Sequence, residues 1–324
     1  MSPFVVGLVA ISAVLHVAWN VRLKSAGDPL RAATIGMLAA SVGIVPAGML
    51  AWWASGVPAL PIEGIGLAVV SGIVEAVYFI FLAAAYRRGD LSVVYPIARG
   101  TAPLIAVAVG VVLLGERLGP GGSLGVVGLL AGFFALQRPW RALALARGRI
   151  GGGPGGGSGE ALAGGAGHGA TGGAGPTRPA VDTAILFALA TGVMIATYTA
   201  IDRVGTRLIS PVPYAAILWV TCSAVLVAWI AFVAGGDLLR YGRAATRQAA
   251  IGGWLTLGAY LCVLGALSVA PLSGVAPLRE SATVFAAAWG SVQLGEAADR
   301  AEVGRRVGAS ALIVGGALLL ATGS

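Results

Sequence analysis

Residues 64–85 read GIGLAVVSGIVEAVYFIFLAAA, twenty-two positions with a single charge, Glu75, in their midst. As a helix this stretch rises about 1.5 Å per residue and spans the ~30 Å hydrocarbon core of a bilayer. Comparable apolar runs lie at about 3–21, 32–53, 92–113 and 121–137, and a second set follows at about 183–201, 213–234, 248–268, 273–293 and 304–322. Backbone polar groups in lipid must find partners within the chain, which a helix supplies residue by residue. The reading is therefore an all-α membrane protein of ten transmembrane helices. The first run has no basic residues ahead of it and no small-residue cleavage signal, and it holds His16 and Asn20; it reads as a retained helix, not a leader.

Composition points the same way. Hydrophobic residues make up 57% of the 324 and charged residues 10%, with a mean hydropathy of +0.89. Soluble domains carry about 25% charge because water covers their surface, so here lipid must cover most of it. Trp52, Trp53, Trp140 and Tyr214 lie near the ends of apolar runs, where an amphipathic ring suits the membrane interface.

Several functional classes fall away. His16 and His168 are the only histidines, and Cys222 and Cys262 sit inside apolar runs without metal-ligand spacing, so neither metal nor cofactor is expected. No catalytic dyad is visible, and the chain reads as a non-enzyme. The net charge of +8 comes from arginines placed mostly between apolar runs, a membrane-orientation signal, so nucleic acid is not an expected partner. The single lysine, Lys24, follows no glycine-rich phosphate loop; any transport must be coupled to an ion, to exchange, or to nothing.

Between the two sets, Gly148–Ala180 is dominated by Gly with Ala, Pro and Ser. Such a stretch buries nothing that would offset the entropy of ordering it, and it reads as a tether. The chain divides into a five-helix repeat over 1–140, a Gly-rich cytoplasmic linker over 141–182 and a second five-helix repeat over 183–324. Shifted by 180 residues, Leu114-Gly115-Glu116 falls on Leu294-Gly295-Glu296, Arg99 on Arg279 and Gly128 on Gly308; at a shift of 182, Asn20 falls on Asp202. An odd number of helices per repeat makes the halves insert with opposite orientation, as in many secondary transporters. Of the basic residues outside the runs, sixteen from Arg22 to Arg306 share one side, against Arg117, Arg203 and Arg207 on the other. By the positive-inside rule the richer side, tether included, is cytoplasmic, which leaves both termini outside.

Charges at membrane depth cost about 2.5–3.5 kcal/mol each on insertion scales, so they face a cavity or a partner. Glu75, Arg99, Arg279 and Glu280 are such charges. Two readings stand side by side: the arginines hold an anionic group of a substrate while a glutamate exchanges a proton, or the four form buried ion pairs that fix helix register. Pro96 and Pro103 flank Arg99 and Pro277 precedes Arg279, marking helices four and nine as candidates for discontinuous, site-forming helices. The other polar and aromatic candidates are His16, Trp19 and Asn20 in helix one, Tyr78 in three, Tyr95 in four, Tyr198 and Asp202 in six and Tyr260 in eight, the aromatics being read as cavity walls. Gly121, Gly125, Gly128 and Gly132, with Gly304 and Gly308, give helices five and ten close-packing faces, usable within the monomer or in a homodimer.

These residues also carry a resemblance. His16-Val-Ala-Trp-Asn20 resembles the H-A-x-W-N pattern near the end of helix one in EamA-family members of the drug/metabolite transporter superfamily. Gly89-Asp-Leu-Ser-Val-Val-Tyr-Pro-Ile-Ala-Arg-Gly-Thr-Ala-Pro103 and Gly115-Glu-Arg-Leu118 are similar to that family's helix-four region and its closing G-E-x-L, and Ala196-Thr-Tyr-Thr-Ala-Ile-Asp202 resembles part of its helix six. Two departures stand out: Gly295-Glu-Ala-Ala-Asp299 replaces the second G-E-x-L, and the Gly-rich insertion is long. The resemblance covers both halves. It implies a ten-helix inverted-repeat carrier with a central cavity, of a kind that exports amino acids, metabolites or drugs.

The function expected is that of a secondary transporter in a bacterial inner membrane, exporting a small organic anion or amino-acid-like metabolite by alternating access, with protons as a candidate coupling ion. A lipid-linked sugar or polyprenyl-lipid flippase, or a non-transporting membrane scaffold, is the alternative.

Overall fold

The computed structural model describes residues 1–24, 26–88, 91–138, 140, 178–232, 241–279 and 300–322. Glu280, residues 141–177, which include most of the stretch expected to be a tether, and Leu294-Gly295-Glu296 lie outside the described residues. Among the described residues ten α-helices follow one another: α1 (Pro3–Lys24), α2 (Pro29–Ala54), α3 (Ile62–Arg88), α4 (Leu91–Ala108), α5 (Pro120–Gln137), α6 (Arg178–Leu208), α7 (Pro211–Phe232), α8 (Arg243–Val269), α9 (Leu272–Arg279) and α10 (Arg300–Thr322). Among the described residues there is no strand. Helices α2, α3, α6, α7 and α8 each contain an apolar window long enough to cross a bilayer, and α1, α4, α5 and α10 contain shorter apolar stretches.

Local chemistry explains the helix ends. Asp28 stands before α2 with Pro29 at its first position, and the Asp28 carboxylate accepts the backbone N–H groups of Leu30 and Arg31 at 3.1 and 3.2 Å. This satisfies two amides that the helix itself cannot. Helix α4, a candidate for a discontinuous helix, runs on through Pro96 and Pro103; its irregularity comes later, as a π-turn over Val109–Leu113. Helix α6 continues seven residues beyond the predicted end, to Leu208. The apolar run stops at Asp202 and Arg203, but both are buried with partners of their own, so the helix does not have to stop with it.

The packing carries the duplication. α3 lies against α6 as α8 lies against α1; α3 touches α7 as α8 touches α2; α2 pairs with α7, α4 with α9 and α5 with α10. Exchanging α1–α5 for α6–α10 maps each of these contacts onto itself or onto another in the set, as a twofold relation between the halves requires. Ser41 and Ser223, repeat equivalents at a shift of 182, share a hydrogen bond of 3.1 Å between α2 and α7. The protein is thus an all-α membrane fold of two inverted five-helix repeats. Its outer surface is apolar: Val42 is 78% exposed and Phe232 87%.

Glycines on α5 are used within the monomer. A Cβ on Gly125 would lie 2.7 Å from the Gly316 carbonyl oxygen and 2.8 Å from the Leu320 nitrogen, and one on Gly132 would lie 2.7 Å from the Ala309 carbonyl oxygen. Small residues let the two backbones approach. On α10 the packed glycine is Gly316; a Cβ on Gly304 or Gly308 meets nothing within 4 Å among the described residues, so the predicted pair is not the one in contact. Gly125→Val forces α5 and α10 apart and should cost about 1–3 kcal/mol, the usual range for overpacking. Thermal unfolding in detergent checks this, and a Gly304→Val control should unfold close to wild type.

Candidate functional site

Residues one or two turns apart on several helices converge between the halves. On α1 these are Ser12, His16 and Trp19; on α3, Glu75, Tyr78 and Phe79; on α6, Tyr198; on α8, Thr256, Ala259, Tyr260 and Val263; and on α9, Arg279. Spacings of three, four and seven keep each group on one helical face. They line a partly open cavity of about 30 Å³, room for one or two waters. Glu75 is 3% exposed, and its Oε2 has no hydrogen-bond partner among the described residues. The rings form a continuous chain: His16 to Trp19 at 5.4 Å, Trp19 to Phe79 at 6.5 Å, Phe79 to Tyr78 at 4.8 Å, Tyr78 to Tyr198 at 5.9 Å, Tyr198 to Tyr260 at 6.0 Å and Tyr260 to Trp219 at 5.2 Å. Trp19 Nε1 donates to His16 Nδ1 at 3.1 Å, so that nitrogen is a bare acceptor and the imidazole carries its proton on Nε2.

Seven of the predicted residues line this cavity: His16, Trp19, Glu75, Tyr78, Tyr198, Tyr260 and Arg279. Arg99 is buried in α4 but is not part of the wall, although it is the repeat equivalent of Arg279. The side chains of Asn20 and Tyr95 lie outside the described residues, as does Glu280. Ser12, Phe79, Thr256, Ala259 and Val263 were not predicted; a serine, threonine or apolar residue on an apolar helix carries little signal of its own.

Beside the cavity stands Asp202, 1% exposed. Ser71 Oγ donates to its Oδ1 at 2.5 Å, Tyr214 Oη donates to the same oxygen at 3.0 Å, and Tyr260 Oη donates to Oδ2 at 2.5 Å. One carboxylate thereby joins α3, α6, α7 and α8. Tyr214, expected at the membrane interface, is instead fully buried. Its apolar neighbourhood gave the same sequence signal in either place, and the hydrogen bond to Asp202 draws the ring inward.

Two different faces adjoin the cavity. On one, a crevice of about 260 Å³ between α1, α2 and α8 shares Trp19, Phe79 and Thr256 with the cavity and reaches Arg22, Tyr241 and Gln248. On the other, Val5, Val9, Ala106, Val263, Leu267 and Val275 belong to one apolar cluster that closes the bundle. Beyond that cluster Glu116, from the loop after α4, accepts the backbone N–H groups of Leu272 at 2.6 Å and Ser273 at 2.8 Å, the first residues of α9. Arg203 Nε lies 3.3 Å from the same carboxylate, and Arg203 Nη1 donates to the Leu267 carbonyl at 2.6 Å. Sequence reading marked Glu116 only as part of a motif; its place at the start of α9, where an acid offsets the helix dipole, came from the tertiary structure.

An inverted-repeat helical bundle with an apolar exterior and a buried, charged cavity between its halves belongs to the class of multi-pass membrane transporters. The model of the EamA-like transporter family matches residues 3–137 and 182–322, and the chain belongs to that family, within the drug/metabolite transporter superfamily. A protein of solved crystal structure superposes with a TM-score of 0.65, covering 98% of this chain and 97% of its own at 18% identity; at that identity the likeness concerns the fold alone. A search of curated protein sequences returns no match.

Proposed function

We propose that this protein is a secondary transporter that exports a small amino-acid-like or anionic metabolite across a bacterial inner membrane by alternating access. The observation that carries this reading is that Glu75 and Arg279 line one cavity, with a crevice, read as its vestibule, sharing Trp19, Phe79 and Thr256 with it on one face and a buried apolar cluster packed on the other. An arginine suits a carboxylate, and a buried carboxylate oxygen with no hydrogen-bond partner among the described residues suits an ammonium group or a proton. The vestibule lies on the side of Arg22, Arg243 and Arg247, where the basic residues are concentrated, so the cavity is read as open toward the cytoplasm.

Comparison of metabolites released by cells with and without the gene tests the reading, followed by transport in liposomes of whichever compound differs. Identical release across a broad amino-acid and organic-acid panel would overturn it. Glu75 is the proposed proton carrier. In liposomes, wild-type transport should respond to an imposed pH gradient, whereas Glu75→Gln, which preserves size and cannot release a proton, should transport at the same rate with or without the gradient. A wild type indifferent to the gradient removes proton coupling and leaves the carrier reading intact.

A further inference from the structure

The carboxylate of Glu116 is held by a purpose-shaped turn. After the π-turn that ends α4, the Glu116 N–H donates to the Gly110 carbonyl at 2.9 Å, and Gly115 takes a φ of +64°, a conformation that disfavours residues with a Cβ. The chain thereby doubles back over the end of α4. A Cβ on Gly110 would fall 2.5 Å from Glu116 Oε2 and 3.1 Å from the Ser273 nitrogen, so the absence of a side chain there is what admits the carboxylate. Glu116 and Arg203 side chains are 8% and 9% exposed. An ion pair and two amide hydrogen bonds shielded to that degree are stronger than the same contacts in open water.

All partners of this carboxylate in α6 and α9 belong to the second half, while Glu116 belongs to the first. Leu272 and Arg279 are seven residues apart on α9, about 10 Å along the helix, so the contact sits roughly two turns from the cavity wall on the side away from the vestibule. Between them the packing is apolar: Val9, Ala106, Val263 and Leu267 can part without orphaning a polar side chain. For the bundle to open on this face, α9 and the end of α8 must leave the α4–α5 loop, and that motion breaks the Glu116 contacts. Once water reaches the separated groups it replaces the lost hydrogen bonds, so the contact is breakable within a transport cycle.

We propose that Glu116 is the latch that holds the transporter closed on the face opposite the vestibule, releasing α9 and Arg203 when the halves part there and re-engaging them when they close. This rests on the alternating-access reading above. It assigns the G-E-x-L acid a gating role, distinct from any contact with substrate.

The test uses the full chain in liposomes with Cys222→Ala and Cys262→Ala, and Val263→Cys as a reporter on the cavity wall. A membrane-impermeant maleimide is added from either face, using vesicles of both orientations. Glu116→Gln loses the charge and should raise the labelling rate from the latch face about tenfold, while slowing it from the vestibule face. Arg203→Gln should act in the same direction, and it is read in place of Glu116→Gln if that variant does not fold. Labelling from the latch face at the wild-type rate in a folded variant overturns the latch. If wild type transports and is labelled from both faces while the variants match it, alternating access stands and the latch alone falls. If wild type neither transports nor is labelled from more than one face, whatever the substitution, both fall.

Discussion

Asp202→Ala should lower the unfolding temperature of the detergent-solubilised protein more than any other single truncation around the cavity. The substitution leaves the hydroxyls of Ser71, Tyr214 and Tyr260 without their acceptor. A buried polar group stranded in this way costs about 1–3 kcal/mol, and in a bilayer no bulk water reaches the site to replace the bond. With three hydroxyls sharing one acceptor and some free to find another, a loss of about 3–6 kcal/mol is expected. Asp202→Asn retains one acceptor oxygen and should fall between alanine and wild type. Because the three donors come from α3, α7 and α8, the damage spreads through the helix packing instead of staying at one residue. Combining Asp202→Ala with Tyr214→Phe should cost less than the sum of the two, since the second change removes a group that the first had orphaned. An unchanged unfolding temperature in Asp202→Ala would show that the carboxylate does not brace the bundle.

The other large effect separates the two arginines that sequence reading treated alike. Arg279 lines the cavity and Arg99 does not. Arg279→Ala should therefore reduce transport about a hundredfold, the scale expected when one partner of a desolvated charge contact is removed. Arg99→Ala should retain much more transport and act chiefly on stability. Arg279→Lys restores the charge without the planar fork and should recover only part of the activity. Transport in liposomes at matched protein amounts measures this, with unfolding temperature recorded for each variant. Equal transport by Arg279→Ala and wild type would remove the substrate role of Arg279; equal losses at both positions would point to a shared ion-pair function instead.

Much of the site was legible because charge and aromatic side chains are conspicuous against an apolar background. Glu75 and Arg279 stood out by cost alone, and His16, Trp19, Tyr78, Tyr198 and Tyr260 by size and polarity on otherwise aliphatic helices. What misled was the same simplicity. Tyr214 lies near the start of its apolar run and reads as an interfacial anchor, yet it is buried against Asp202. Pro96 and Pro103 made helix four a candidate for a discontinuous helix, yet α4 continues through both, since a helix can continue through proline when neighbouring groups accommodate the freed carbonyls.

The lipid-facing exterior, the ten helices and their duplication follow from the sequence by itself, because hydrophobic length and an internal shift in register are properties of one dimension. Which of two repeat-equivalent arginines reaches the cavity, which three hydroxyls converge on Asp202, and which helix start Glu116 closes upon were decided only by the tertiary structure. Those contacts join residues as far as 157 positions apart, and their pairing depends on how helices cross and rotate about one another, a geometry that hydropathy and spacing do not encode.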